Sequence, residues 1–231
     1  MMKIKVKQTL IISVCINLIL TSLVGIILIR RMIVKNKSSD NFSATHVISK
    51  SVYEGLEVSE NDIVFIGDSL IDLCEWDELF NNPNIKNRGI SGDKTDGALD
   101  IINTISKGRP KQIFLLMGIN DLSSEVDKET IVKNYKSIVN NITTNSPNTE
   151  IFIQSILPVN DLYKGKANNE DIISLNTNLQ EIKGNNIVFI NLYDEFIDKN
   201  NKLKPDLSTD GLHLNYKGYT LWKSIIDKYI K

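Results

Sequence analysis

Five short apolar runs alternate with amphipathic segments from about residue 61 onward. The runs occupy residues 62–67, 85–89, 112–118, 150–155 and 186–191, and in each except 85–89 (IKNRG) at least half of the residues are apolar, many of them β-branched or aromatic. Near-continuous apolar runs of this length are typical of strands buried on both faces of a parallel sheet. Between them, apolar residues at helical spacing predict core-facing helices, one of which Asp127 would cap. Strands alternating with helices predict βαβ units in a doubly wound sheet.

The N-terminal region has a different pattern. Residues 9–29 read TLIISVCINLILTSLVGIILI, without a charged side chain, and about 20 apolar residues suffice to span a bilayer as a helix. A cleaved signal peptide would have a shorter apolar core and a small-x-small site, neither of which is present. We therefore predict a membrane anchor over 1–35, a polar, Ser-rich tether over 36–60 and one catalytic domain over 61–231. Basic residues flank both ends of the apolar run, so charge does not decide its orientation.

Composition narrows the function. The chain of 231 residues has a formal net charge of -1, which does not favour a nucleic-acid partner. Its cysteines are Cys15, in the apolar run, and Cys74, in the domain, so a disulfide within the domain is excluded. Its histidines are His46 and His213, too few for a typical zinc site. We expect neither a metal nor an organic cofactor.

Polar residues that could carry chemistry follow the predicted strands. Ser69 lies in Gly67-Asp68-Ser69-Leu70 after the first run, and a glycine-rich loop, Asn87-Arg88-Gly89-Ile90-Ser91-Gly92-Asp93, follows the second. Asn120 follows the third run, and Asp210 precedes His213 by three residues. Each has an ordinary alternative as a helix cap, a glycine turn, an Asx turn or a surface histidine. Ligand sites of doubly wound sheets lie beyond the carboxyl ends of the strands, so we expect these residues to meet.

The same residues suit hydrolysis by a serine. A hydroxyl is a weak nucleophile unless a base takes its proton, and the base works best when a carboxylate orients it. His213 is the one histidine of the predicted domain, so imidazole catalysis would depend on it. Backbone N–H groups at glycines and the Asn120 amide could bind a developing oxyanion.

Taken together, the four blocks resemble those of the SGNH (GDSL-type) hydrolases, named for Ser, Gly, Asn and His. Ser69 stands in GDSL, Gly89 in NRGISGD, Asn120 in GIND and His213 in DGLHLN. The resemblance implies a flavodoxin-like three-layer α/β/α sandwich with a central, mostly parallel five-stranded sheet. It also implies a triad of Ser69, His213 and Asp210, and an oxyanion hole at Ser69, Gly89 and Asn120.

The resemblance further implies a serine esterase that acts through an acyl-serine. Short-chain, mainly acetyl, esters of surface carbohydrates are the expected substrates, with Asp68, Asp121 and Pro158 lining the substrate site. The alternatives are an O-acyltransferase with the same triad, a lysophospholipase-like esterase and a non-catalytic glycan-binding module. Because family relatives with such anchors usually expose the catalytic domain outside the cell, we expect the catalytic domain of this chain to be extracellular.

Overall fold

A computed structural model describes Gly25 and residues 44–231. Its centre is a sheet of five parallel strands in the order β2-β1-β3-β4-β5. This order is that of flavodoxin-like folds, and the predicted α/β architecture is confirmed. The strands are β1 (Ile63–Gly67), β2 (Ile85–Gly89), β3 (Gln112–Leu116), β4 (Glu150–Gln154) and β5 (Ile187–Ile190).

Helices connect the strands and cover both faces of the sheet. They are α1 (residues 44–55), α2 (Ser69–Asp72), α3 (Trp76–Phe80), α4 (Thr95–Lys107), α5 (Ile119–Ser123), α6 (Lys128–Asn145), α7 (Asn169–Gln180), α8 (Tyr193–Phe196) and α9 (Tyr216–Ile226). Side-chain caps explain where several begin. Asp127 accepts from Thr130 N at the start of α6, as predicted, and Asn215 accepts from Gly218 N at the start of α9.

Two hydrophobic clusters lie on opposite faces of the sheet. Alternate residues of β1 enter different clusters, Val64 with α4, α6 and α7 and Phe65 with α3 and α9, as the two-residue period of a strand requires. The rings of Phe65 and Phe114 stack at 4.9 Å, and those of Phe114 and Phe152 at 4.5 Å. The second cluster therefore has an aromatic row across three strands.

The segment predicted as a tether is not wholly irregular. Residues 44–55 form α1, and Tyr53 and Val58 pack against the first cluster. The Tyr53 hydroxyl donates to Gly89 O at 3.0 Å, and the Arg88 guanidinium lies 5.1 Å from the Tyr53 ring. The prediction of a tether followed the polar, Ser-rich start of this segment and overlooked Tyr53 and Val58, which attach its second half to the domain.

The predicted anchor at 9–29 lies, apart from Gly25, outside the described residues, and it stays a prediction. Among the helices that the structure does describe, none is both long enough and apolar enough to cross a bilayer.

Candidate active site

The nucleophile candidate begins a helix at the carboxyl end of β1. Ser69 is the first residue of α2, directly after β1 and the cap residue Asp68. Asp68 Oδ1 accepts from Leu70 N at 3.0 Å, which fixes the turn. Ser69 is 8% exposed, so most of the residue is buried.

Ser69 meets His213 across a long sequence separation. Ser69 Oγ lies 3.0 Å from His213 Nε2, and His213 Nδ1 lies 2.7 Å from Asp210 Oδ2. Both distances are within the reach required for proton transfer. The predicted hydroxyl, imidazole and carboxylate are therefore in contact and in the order that a serine hydrolase needs.

The peptide around Asp210 holds its carboxylate in place. Asp210 Oδ1 accepts from the backbone N–H groups of Leu212 at 3.0 Å and His213 at 2.8 Å, while Oδ2 faces the imidazole. Burial alone would raise the pKa of Asp210, but hydrogen bonds from His213 and these N–H groups outweigh it and lower the pKa to about 2. The carboxylate stays charged, which favours one orientation of the ring and stabilises an imidazolium.

The prediction that Gly89 supplies an oxyanion donor does not fit the structure. Gly89 N donates to Asn87 Oδ1 at 2.8 Å, so this N–H already has an acceptor. A Cβ at Gly89 would lie 2.3 Å from Asp72 N, so this glycine allows α2 to pack closely on β2. Asn87 Nδ2 also donates to the carbonyls of Ile71 at 2.9 Å and Cys74 at 3.0 Å. It thereby provides hydrogen bonds to backbone carbonyl groups at the C-terminal end of α2.

Gly92, three residues after Gly89, has the features expected of an oxyanion donor. Its φ is 75°, a conformation that favours glycine. Among the described residues its N–H has no acceptor, and neither has that of Ser69. The neighbouring Ser91 donates to Asp72 Oδ2 from both its N and its Oγ, which ties this loop to α2. The Gly-rich block of the sequence contains Gly92 and Asn87 but not Asp72, and sequence alone does not distinguish its two glycines.

Asn120 lies where the sequence predicts, at the start of α5 after β3. Asn120 Nδ2 donates to Asp93 O at 2.9 Å, and Asp93 follows Gly92 in the neighbouring loop. An amide NH₂ has two donors, so one N–H orients the side chain while the other can bind a substrate oxygen.

The three residues predicted to line the substrate site are buried. Asp68 is 0% and Asp121 1% exposed, and Pro158 is buried as well. Asp121 accepts from Thr95 N at 3.0 Å and Thr95 Oγ1 at 2.6 Å, which joins the loop after β3 to the start of α4. None of the three presents surface to a substrate, because strand-end loops pack on one another as well as on the cleft, and only the tertiary structure tells which contact each side chain makes.

Comparison with known proteins shows which family the chain belongs to. The model of the GDSL-like lipase/acylhydrolase family matches residues 65–221, which include the four blocks and all five strands except the first two residues of β1. The chain belongs to this family. The resemblance to SGNH hydrolases is thereby confirmed.

Proteins similar to this chain bear acetylhydrolase or esterase names. The chain is 33% identical over 105 residues to platelet-activating factor acetylhydrolase IB subunit alpha1 of Rattus norvegicus, a match that covers 43% of this chain and 44% of that protein. The chain thus spans less than half the length of this relative. A solved structure from Streptococcus pneumonia, described as a platelet activating factor, shares 29% identity with a TM-score of 0.78, covering 85% of this chain and 97% of the other.

A Clostridium thermocellum family 3 carbohydrate esterase shares the fold. Its TM-score is 0.55 at 20% identity, covering 74% of this chain and 96% of that one. Within residues 44–231, no three His, Cys, Asp or Glu side chains cluster in a way that could hold a metal ion.

Proposed function

We propose that this GDSL-family protein is a serine esterase that hydrolyses short-chain acyl esters, with Ser69 as nucleophile, His213 as base and Asp210 as its orienting carboxylate. The observation that carries the proposal is the unbroken series of contacts from Ser69 Oγ to His213 at 3.0 Å and from His213 to Asp210 at 2.7 Å. Membership of an acylhydrolase family supports it.

In the first half-reaction, His213 Nε2 takes the proton of Ser69 Oγ as the oxygen attacks the ester carbonyl. We assign the oxyanion to the backbone N–H groups of Ser69 and Gly92 and to the Asn120 amide, with Gly92 in place of Gly89. The imidazolium, stabilised by Asp210, then protonates the leaving alcohol. An acyl-Ser69 ester remains.

In the second half-reaction, His213 takes a proton from water as the water attacks the acyl-serine. The same donors bind the second oxyanion, and the imidazolium returns the proton to Ser69. The products are a carboxylic acid and the regenerated enzyme, so atoms and protons balance without a cofactor.

The proposed preference for short acyl groups has a structural reason. The protein's own side chains fill the space beneath the strand ends: Met117, Ile119, Ile156 and Leu157 are 0–1% exposed. A long acyl chain would have to displace these side chains, which close packing resists. The acetylhydrolase name of the rat relative is consistent with the same preference.

The test uses the purified full-length chain, its Ser69→Ala variant and the control Ser137→Ala on the surface of α6. Each is assayed with 4-nitrophenyl acetate, butyrate and octanoate and labelled with a fluorophosphonate probe. We expect Ser69→Ala to lose at least about 10⁴-fold in kcat and all labelling, with unchanged thermal unfolding, while Ser137→Ala resembles wild type. Equal turnover by Ser69→Ala would rule out the nucleophile, and rates that rise with chain length would rule out the short-acyl preference.

A further inference from the structure

The loop that follows β4 contacts two separate parts of the candidate active site. The proposed base and its carboxylate lie on the turn from Asp210 to His213, and the proposed oxyanion donor Asn120 lies in α5. Both elements are short: α5 has five residues, and the turn is closed by an isolated bridge between Ser208 and Leu214. Short elements have few internal contacts to fix them, so their positions depend on the segments that pack against them.

The first end of this loop packs on the turn that carries the base. Asn160 N donates to Gly211 O at 3.1 Å, and Gly211 lies between Asp210 and His213. Gly211 has a φ of 86°, and a Cβ at this position would lie 2.4 Å from Asn160 Oδ1 and 2.5 Å from Tyr163 N. A side chain would not fit there, so the peptide of the turn lies directly against the loop.

Hydrogen bonds fix the shape of the loop at this end. Asn160 Oδ1 accepts from Leu162 N at 3.0 Å, and Asn160 O accepts from Tyr163 N at 3.0 Å. Asn160 Nδ2 donates to Leu203 O at 3.2 Å, which joins the loop to a third segment. The four residues from Asn160 to Tyr163 therefore form a hydrogen-bonded turn with little freedom to move against Gly211.

The second end of the loop reaches the helix that carries Asn120. The hydroxyls of Tyr163 and Ser123 are hydrogen-bonded to each other, and Lys166 forms an ion pair with Glu125. Ser123 is the last residue of α5 and lies three residues after Asn120, a spacing that places both on one side of the helix. The ion pair is exposed and such pairs contribute little, so the partly buried hydroxyl pair is the stronger contact.

Tyr163 thus joins the base to the oxyanion donor through two contacts. Its backbone lies against Gly211, and its hydroxyl binds the end of α5. In the proposed reaction, His213 and the Asn120 amide must act on one tetrahedral centre at the same time. A misplacement of about 1 Å between such groups can lower the rate about 10²-fold, so a contact that sets their separation would affect the chemical step.

We propose that Tyr163 is a positioning residue for acyl transfer, which holds the Asp210–His213 turn and the helix of Asn120 at a fixed separation through its hydrogen bond with Ser123. The inference rests on the proposed esterase activity and adds a residue to it. Tyr163 acts through His213 and Asn120, and not on the substrate.

The test removes the two hydroxyls one at a time. The full-length wild type is compared with Tyr163→Phe, Ser123→Ala, the double variant, and Ser123→Thr, which keeps a hydroxyl. The matched controls are Ser137→Ala and Tyr229→Phe. The hydroxyl of Tyr229 has no hydrogen bond among the described residues, and its carbonyl accepts from Gln112 at the start of β3, away from the site. We measure kcat and KM for 4-nitrophenyl acetate, the rate of fluorophosphonate labelling, and thermal unfolding.

We expect Tyr163→Phe and Ser123→Ala each to lower kcat and kcat/KM about tenfold, with KM nearly unchanged, and to slow labelling by a similar factor. The double variant should lose no more than either single variant, because both changes remove the same hydrogen bond. Ser123→Thr should retain most of the wild-type kcat, and both controls should resemble wild type.

A second comparison separates positioning from a general effect on the structure. Tyr163→Phe is introduced into Asn120→Ala, in which the donor that Tyr163 positions is already absent. We expect the tenfold loss to shrink to about twofold in this background, since the two residues act as a unit. An undiminished loss would overturn the proposal, and so would a change in KM alone, which would indicate that Tyr163 contacts the substrate.

Failure of this inference and failure of the proposed function give different results. If wild type and Ser69→Ala hydrolyse 4-nitrophenyl acetate equally, the proposed esterase fails, and positioning by Tyr163 fails with it. If Ser69→Ala is inactive while Tyr163→Phe keeps the wild-type kcat, only the role of Tyr163 is overturned.

Discussion

Asp68, the residue before the proposed nucleophile, should make the stability of this protein depend on pH in an unusual direction. The side chain is 0% exposed, and only one of its oxygens has a partner, Leu70 N; the other, Oδ2, is buried without one. Burial is the largest effect on the pKa of Asp68 and raises it. The hydrogen bond from Leu70 N lowers the pKa, whereas the negative charges of Asp121 and Asp93 raise it further, and the resulting pKa is about 7. Its ordinary value is 3.8.

The sign follows from proton linkage. Between about pH 4 and 7 the folded protein keeps a proton on Asp68 that the unfolded chain has lost, so the free energy of unfolding falls as the pH rises through this window. A difference of about three pKa units corresponds to a loss of about 4 kcal/mol in the free energy of unfolding. This loss is complete above about pH 7 and absent below about pH 4. Asn is neutral at every pH and can also cap a helix. Asp68→Asn should therefore gain about 4 kcal/mol relative to wild type on going from pH 4 to pH 8.

The assay is urea unfolding of wild type and Asp68→Asn at pH 4 and pH 8. The NH₂ group of Asn would occupy the unpaired position of Oδ2, at a cost of about 1–3 kcal/mol that is the same at both pH values. The change with pH, not the value at one pH, is therefore the measured quantity. A difference between the two proteins that stays constant with pH would refute the reasoning.

Asp127 provides the matched control. It caps α6 in the same way, accepting from Thr130 N at 2.8 Å, but it is exposed, and the hydrogen bonds from Thr130 lower its pKa. A carboxyl with a lowered pKa stabilises the fold above its unfolded pKa and loses that contribution as the pH falls. Asp127→Asn should therefore change with pH weakly and in the direction opposite to Asp68→Asn.

Three further predictions concern residues around the site. Asn120→Ala should lower kcat by about 10²–10³ with a smaller change in KM, measured with 4-nitrophenyl acetate, because its amide acts on the transition state; an unchanged kcat would remove it from the oxyanion hole. Asp210→Asn should lower kcat about 10⁴-fold through loss of imidazole orientation, and wild-type kinetics would contradict that role. The Tyr135 hydroxyl donates to Met117 O at 2.7 Å and accepts from Met117 N at 3.1 Å. Tyr135→Phe should therefore lower the free energy of unfolding in urea by about 1–3 kcal/mol. An unchanged value would show that the Met117 N–H and C=O find other partners.

The sequence by itself predicted the five strands, and it singled out Ser69, His213 and Asp210 as the candidate triad. Four apolar runs, with the more polar run at 85–89, were sufficient to predict the parallel sheet, because strands covered on both faces are near-continuously apolar. With one histidine in the domain and one Asp three residues before it, the partners of Ser69 followed from the needs of the reaction. Their contact at 3.0 and 2.7 Å could be expected, since strand ends meet at one edge of the sheet.

Only the tertiary structure decided what each loop residue contacts. Gly89 and Gly92 are indistinguishable by type, yet the first packs against α2 and binds Asn87, while the second has positive φ and a free N–H among the described residues. Likewise Asp68 and Asp121 resemble substrate contacts in sequence but are buried. The attachment of α1 to the domain through Tyr53 could not be predicted from the sequence either. Each depends on contacts between segments far apart in the chain, which local pattern does not encode.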